Sequence, residues 1–87
     1  MIKLIIYSRP GCHLCDEMKE TVKKVARAFT LAPVNVVEID ISSDPALEAE
    51  HGLEIPVLLV DGKKTAKYRI GEKELRRALA GRAGWAG

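Results

Sequence analysis

With 87 residues, the chain has room for one domain and one hydrophobic core, because small chains bury a smaller share of their surface on folding. Its apolar fraction of 47% and charged fraction of 30% are ordinary for a globular protein and argue against a disordered or fibrous chain. A net charge of +2, with one Trp, two Tyr and one Phe, argues against a basic, aromatic-rich surface for nucleic acid.

The first residues form a short apolar run from Met1 to Ile6. This run is too short for the core of a signal peptide and far too short to span a bilayer. We therefore expect a cytoplasmic protein without a membrane partner. In a reducing compartment, two cysteines are more often catalytic or metal-binding than structural.

The first half of the chain predicts a strand, a helix and a second strand. Residues 2–7 are apolar on both sides, as in a central strand covered on both faces. A loop follows at residues 8–11, and a helix begins near Cys12 with apolar residues mostly at steps of three and four. This apolar stripe consists of Leu14, Met18, Val22, Val25, Ala26 and Phe29. Residues 34–41 alternate as a second strand, which a right-handed crossover makes parallel to the first.

The second half predicts a short helix, a hairpin and a last helix. Asp44 is the expected N-cap of the short helix, which ends at Gly52, and the apolar residues 57–60 form a third strand. The pair Asp61-Gly62 predicts a tight hairpin to a fourth strand over residues 64–70. In that strand one face is shared by Ala66, Tyr68 and Ile70. The last helix starts at Glu72 and ends at Gly81.

Both cysteines, Cys12 and Cys15, lie at the predicted start of the first helix. Positions three apart lie on one side of a helix, so the two sulfurs can form a disulfide with little backbone movement. Cys12 faces unpaired amides and the positive end of the helix dipole, which favour its thiolate and make it the attacking sulfur. Cys15, one turn further on, is expected to be less exposed and to resolve a mixed disulfide.

Three other polar side chains are candidates for a role. Arg9 offers a cation for the thiolate or for the carboxylate of a peptide-like substrate, and a solvated loop cation is the alternative. His13 either adds positive charge between the thiols or has no role. We interpret His51 as a C-terminal cap partner of the second helix. Because the histidine spacing matches no familiar metal pattern, we predict no metal site.

Two segments resemble one family. Tyr7-Ser8-Arg9-Pro10-Gly11-Cys12-His13-Leu14-Cys15 resembles the active-site segment of glutaredoxins and small glutaredoxin-like proteins, and Glu54-Ile55-Pro56-Val57-Leu58-Leu59-Val60-Asp61-Gly62-Lys63 resembles their segment around a cis-proline. The likeness extends from Ile2 to about Ala80. It implies an α/β, thioredoxin-like fold of the order βαβαββα, with three helices flanking a four-stranded mixed sheet of strand order 2-1-3-4. Residues 1–81 then form the glutaredoxin-like domain, and residues 82–87 a loosely ordered tail.

The resemblance also implies a substrate-binding set. Pro56 would be cis and packed beside Cys12, which leaves the backbone of Ile55 free to pair with a substrate backbone. Arg9 would correspond to the cation for the glutathione carboxylate, and Leu14 to the position that flanks the bound thiol. The predicted substrate-binding residues are Arg9, His13, Leu14, Ile55 and Pro56.

We therefore predict a small, monomeric dithiol-disulfide oxidoreductase without a resident cofactor, acting on a protein disulfide or a glutathione mixed disulfide. The family's Gly-Gly pair before the last helix is replaced here by Ile70-Gly71-Glu72-Lys73, so glutathione, as co-substrate, and a thioredoxin reductase are alternative electron donors. Two other functions stay open. One is a dimeric module that holds an iron-sulfur cluster through Cys12 and an external thiol, and the other is an adapter without efficient redox activity.

Overall fold

The structure is a computed structural model that describes residues 1–84. In chain order its elements are β1 (Ile2–Ser8), α1 (His13–Ala28), β2 (Val34–Asp40), α2 (Pro45–His51), β3 (Val57–Val60), β4 (Lys63–Lys67) and α3 (Glu72–Arg82). A short 3₁₀ helix, Ile41–Ser43, connects β2 to α2. The strands form one sheet in the order β2-β1-β3-β4, so the predicted α/β fold class and strand order are confirmed.

The central strand β1 pairs with its two neighbours in opposite senses. It runs parallel to β2 and antiparallel to β3, where Tyr7 lies opposite Val57. The β1 residues buried in the main core are Ile2, Leu4 and Ile6. On the opposite face Ile5 and Tyr7 are only half-buried. Both faces of β1 were expected to be covered, but only one is fully buried.

The buried stripe of α1 begins at a cysteine. Its members are Cys15, Met18, Val22 and Val25, at steps of three and four. The three apolar members pack with Leu75 and Leu79 of α3 in the main core. Leu14 is only half-buried, so the predicted stripe was placed one residue too early at this end. Cys15 therefore lies buried on the same face of α1 as the residues that pack the helix into the core.

The hairpin between β3 and β4 has the predicted tight turn. Asp61 and Gly62 have φ angles of 49° and 83°, and a type I′ turn requires positive φ at both positions. Beyond the turn the pairing is irregular, because Leu58 lies opposite Ala66 while Leu59 lies opposite Lys64. The intervening Thr65 is the extra residue of a β-bulge in the edge strand.

The predicted fourth strand is too long. β4 ends at Lys67 because Tyr68 has a φ of 69°, outside the extended region. The Arg69 amide donates to the Lys67 carbonyl at 2.8 Å and closes a γ-turn around Tyr68. Tyr68 is consequently exposed while Ile70 is buried, so the expectation that Ala66, Tyr68 and Ile70 share one face is wrong.

The ends of the other two helices follow the sequence signals closely. The Asp44 carboxylate accepts two amides of the first turn of α2, at 3.0 and 3.2 Å, which confirms it as the N-cap. Helix α3 continues through Gly81 and ends at Arg82, which is the first residue of the predicted tail. The last part of that tail, residues 85–87, lies outside the described residues. Within residues 1–84, no helix is long and apolar enough to cross a membrane.

Candidate active site

The two cysteines lie where the chain passes from β1 into α1. Gly11, with a φ of 78°, turns the chain just before Cys12, and the Cys12 amide donates to the Arg9 carbonyl at 3.3 Å. Cys12 is the N-cap of α1, and its Sγ accepts the Cys15 amide at 3.1 Å. Because the first amides of a helix have no backbone partner within it, the sulfur takes the place that a capping oxygen usually occupies.

Cys12 and Cys15 form a disulfide, with Cα atoms 5.2 Å apart. Cys15 is 1% exposed, whereas Cys12 is half-buried and reaches solvent. Thiol-disulfide exchange requires access to the sulfur that is attacked. A sulfur from another molecule can therefore reach Cys12 but not Cys15.

The segment before β3 lies at the same end of the sheet as the disulfide. Since Tyr7 at the end of β1 pairs with Val57, the preceding Ile55 and Pro56 extend past the point where the chain leaves β1. The Ile55–Pro56 bond is cis, as the resemblance implied. Within residues 1–84, neither the amide nor the carbonyl of Ile55 bonds to another protein group. Ile55 thus offers a free donor and acceptor.

Tyr68 holds this segment on both sides of Ile55. Its amide donates to the Pro56 carbonyl at 2.8 Å, and its hydroxyl donates to the Leu53 carbonyl at 3.0 Å. The two bonds fix Leu53 and Pro56 while leaving Ile55 unbonded. The unusual φ of Tyr68 therefore has a structural consequence next to the candidate site.

Arg9 is neither free nor fully solvated. Its guanidinium forms an ion pair and hydrogen bond with the Glu48 carboxylate of α2, and both side chains are 38% exposed. Arg9 also lies near Asp40. Hydrogen bonds from Ser42 lower the pKa of the Asp40 carboxyl, and the charge of the Arg9 guanidinium lowers it further. The alternative of a merely solvated loop cation is therefore wrong. A substrate carboxylate would have to compete with Glu48 for Arg9.

A second charged cluster lies beside the active-site loop and borders the same shallow cavity as Arg9. The buried Ser8 hydroxyl donates to Glu38 of β2 at 2.8 Å, and the Lys19 ammonium lies 3.0 Å from Glu38 and 3.3 Å from Asp16. Burial acts to raise the pKa of the Glu38 carboxyl, but the hydrogen bonds from Lys19 and Ser8 outweigh it and lower that pKa. Hydrogen bonds to Glu38 and Asp16 raise the pKa of Lys19. Lys19 and Arg9 are thus both paired with carboxylates, which leaves the helix amides as the main partners of the Cys12 sulfur.

The remaining candidate side chains have different environments. His13 is exposed and Leu14 is half-buried, both in the first turn of α1. His51 lies in the last turn of α2, but its ring stacks on Tyr7 with centroids 4.7 Å apart instead of bonding to the helix carbonyls. Its side chain is 12% exposed, and Nδ1 is buried without a hydrogen-bond partner among the described residues. The interpretation of His51 as a cap partner is wrong, because packing on the sheet holds its ring.

Comparison with known protein families gives a clear match. The sequence model described as Glutaredoxin-like domain (DUF836) matches residues 3–80. The chain belongs to this glutaredoxin-like family. A glutaredoxin-like protein of Dictyostelium discoideum is 31% identical over 77 residues, covering 85% of this chain and 71% of the relative. An uncharacterized protein of Mycobacterium tuberculosis is 27% identical over 77 residues, covering 86% of this chain and 79% of the relative.

Solved structures agree with this glutaredoxin-like assignment. A structural-genomics target protein from X. campestris superposes with a TM-score of 0.72 at 32% identity, covering 90% of this chain and 96% of that one. A mutant thioredoxin from Halobacterium salinarum superposes with a TM-score of 0.64 at 21% identity, covering 92% and 73%. The second likeness concerns the fold alone. The glutaredoxin-like chain thus combines a thioredoxin-like fold with a CxxC disulfide at the head of α1.

Sequence reasoning missed three residues that shape this glutaredoxin-like site. Glu48 holds Arg9 from 39 positions away, Glu38 reaches Ser8 from the neighbouring strand, and Tyr68 fixes the segment around Ile55. No periodicity or motif marks any of these contacts in the sequence. The parallel pairing of β1 and β2 brings the ends of both strands together, and this was the one signal that could have suggested Glu38.

Proposed function

We propose that this glutaredoxin-like protein is a dithiol-disulfide oxidoreductase in which Cys12 attacks the substrate and Cys15 resolves the intermediate. The observation that supports this most directly is the difference in access between two bonded sulfurs. Cys12 reaches solvent at the helix N-terminus, while Cys15 is buried in the apolar stripe of α1. An attacking thiol must meet another molecule, whereas a resolving thiol needs only to reach its neighbour.

The reaction balances with the two cysteines alone. In the reduced protein the Cys12 thiolate attacks one sulfur of a substrate disulfide, forming a mixed disulfide and releasing the other substrate sulfur as a thiolate. Cys15 then loses its proton and attacks the Cys12 sulfur, which releases the second substrate thiolate and forms the Cys12–Cys15 disulfide. The substrate gains two electrons and, once its thiolates are protonated, two protons. Two external thiols, or a reductase, return the electrons to the protein.

The polar groups around Cys12 fit a peptide-like substrate. The free amide and carbonyl of Ile55 can pair with the backbone on one side of the substrate disulfide, as an added strand would. His13 and Leu14 directly follow Cys12 in the first turn of α1. Arg9 can meet a substrate carboxylate once Glu48 releases it. Substrates of this class are protein disulfides and glutathione mixed disulfides, with glutathione or a thioredoxin reductase as the electron donor.

Single-cysteine variants test the assignment of the two sulfurs. Cys12→Ser is expected to abolish reduction of an insulin-type protein disulfide, because no accessible thiolate remains. Cys15→Ser is expected to stop at the mixed disulfide, which intact-mass spectrometry detects as an adduct that dithiothreitol removes. The double variant, which can form no adduct, serves as the control.

Three results would contradict the proposal. One is full activity of the Cys12→Ser protein, which would make Cys15 the attacking sulfur. Another is a Cys15→Ser protein that forms no adduct with any disulfide offered. The third is a brown, dimeric wild-type protein with visible absorbance that Cys12→Ser loses, since this would indicate an iron-sulfur module.

A further inference from the structure

Charge is divided unevenly along the chain. Residues 60–84 contain eight Lys or Arg and three acidic residues, a net charge of +5, while residues 1–59 contain six and nine, a net charge of −3. The first of these segments comprises β4 and α3, and the second contains β2 and α2. The small overall charge of +2 therefore conceals one strongly basic region of the molecule.

An open groove of about 420 Å³ lies in this basic region, between β4 and α3. Its lining combines small apolar residues with cations: Val60, Ala78 and Gly81, together with Lys63, Arg77 and Arg82. We call this the β4/α3 groove. It lies towards the end of β3 at Val60, whereas Ile55 precedes the start of that strand at Val57. None of the residues of the candidate redox site lines it.

Among the described residues, two of the groove's cations have no carboxylate partner. Arg82 donates to Asp61 at 2.8 Å, and Lys64, which also lines the groove, donates to Glu54 at 2.8 Å. Within residues 1–84, Lys63 of β4 and Arg77 of α3 form no ion pair. One unpaired cation thus lies on each wall of a groove with a partly apolar lining, which is the complement of an acidic ligand with small apolar groups.

The features of the groove distinguish between kinds of acidic ligand. Within residues 1–84, no aromatic side chain lines it, so the described lining offers the bases of a nucleic acid no stacking partner. Strand addition to β4 is disfavoured by the bulge at Thr65 and by the three lysines of this edge strand. A ligand that binds through its own side-chain carboxylates meets neither obstacle.

We propose that the β4/α3 groove docks an acidic segment of a partner protein. Carboxylates of the segment bind Lys63 and Arg77, and its small apolar side chains lie on Val60 and Ala78. Because the groove and the thiols occupy opposite ends of β3, the segment can be bound without covering Cys12. Because these ion pairs lie in an open, solvated groove, the binding is sensitive to salt.

The test uses the full chain and a short peptide of alternating Glu and Ala, blocked at both ends. Titration of ¹⁵N-labelled protein in low salt is expected to shift the amides of β4 and α3. Lys63→Gln/Arg77→Gln is expected to raise the Kd, measured by calorimetry, about tenfold, because each surface ion pair contributes a factor of a few. Lys23→Gln/Arg27→Gln makes the same charge change on exposed positions of α1 and is expected to change the Kd by less than about twofold.

Several results would overturn the proposal. Amide shifts centred on residues 12–15 or 53–56, or no shifts at millimolar peptide, would exclude docking in the groove. Equal loss of binding in the two double variants would show that the peptide responds to the net charge of the protein and not to the groove. Stronger binding by inorganic tripolyphosphate than by the peptide would identify a small-anion site instead. A mass that rises with protein concentration, and falls in Lys63→Gln/Arg77→Gln, would show that a second copy fills the groove.

Discussion

Replacing Glu48 with glutamine is expected to strengthen the binding of a glutathione mixed disulfide. The substitution keeps the size of the side chain but removes the charge that holds Arg9. Both partners are 38% exposed, so the pair belongs to the solvent-screened class, worth about 0.2–1 kcal/mol. A substrate carboxylate that binds Arg9 must overcome this energy. Removing the competitor is therefore expected to lower KM by a factor of about 1.4–5, with kcat unchanged.

The assay measures the steady-state reduction of a peptide–glutathione mixed disulfide at several salt concentrations. Glu50→Gln is the matched control, since it removes the same charge from the same helix, and the Glu50 carboxylate lies 3.8 Å from His51 Nε2, whereas Arg9 pairs with Glu48. Arg9→Gln is expected to raise KM, and its combination with Glu48→Gln is expected to match Arg9→Gln alone. An unchanged KM in Arg9→Gln would refute a carboxylate-binding role. If Glu48→Gln and Glu50→Gln lowered KM equally, the effect would come from the overall charge of the protein and not from competition between Glu48 and the substrate carboxylate for Arg9.

Two further substitutions test the supports of the site and of the hairpin. Tyr68→Phe removes the hydrogen bond to Leu53, so KM for a peptide disulfide is expected to rise and the free energy of unfolding in urea to fall by about 0.5–1 kcal/mol; an unchanged KM would show that this bond does not position the substrate segment. The pKa of Asp61 is lowered by the Lys3 amide and secondarily by Arg82, so it stabilises the fold above its unfolded pKa and loses this effect as the pH falls through its folded pKa. Asn also suits the turn, so Asp61→Asn removes the charge without disturbing the hairpin. It is expected to lower Tm at pH 7 and to make Tm fall less steeply below about pH 4, whereas parallel Tm curves for the two proteins would contradict this.

The local patterns of the sequence predict most of the secondary structure. The apolar periodicity of α1, the cap at Asp44 and the Asp61-Gly62 turn each depend on neighbours within a few positions; the cap and the turn occur as predicted, and the periodicity does so except at Leu14. The predicted end of β4 was wrong. In the sequence, apolar residues alternate through Ala66, Tyr68 and Ile70 as they would in a strand, but the backbone leaves the extended conformation at Tyr68. A residue with positive φ that is not glycine gives no compositional signal.

The contacts that shape the site are long-range, and this is why they could not be predicted. Periodicity assigns a residue to a face, but it does not choose a partner on another element. Arg9 and Glu48 meet only because α2 follows the 3₁₀ helix at the end of β2, and His51 reaches Tyr7 for the same reason. The thiols themselves needed no such information, because a CxxC at a helix start brings both sulfurs together by helix geometry.

The choice between glutathione and a protein as substrate depends on which groups near Cys12 are free to bind. The cation within the active-site loop, Arg9, is already paired with Glu48. At the start of α3 a single glycine, Gly71, precedes Glu72, where glutaredoxins that bind glutathione well carry a Gly-Gly pair before the acid. Both features argue against tight binding of a small peptide such as glutathione. The unbonded backbone of Ile55 suits any extended segment, and a protein substrate could add contacts in the β4/α3 groove. We therefore propose a protein disulfide as the preferred substrate, and competition between a protein disulfide and glutathione disulfide for the reduced protein would measure that preference directly.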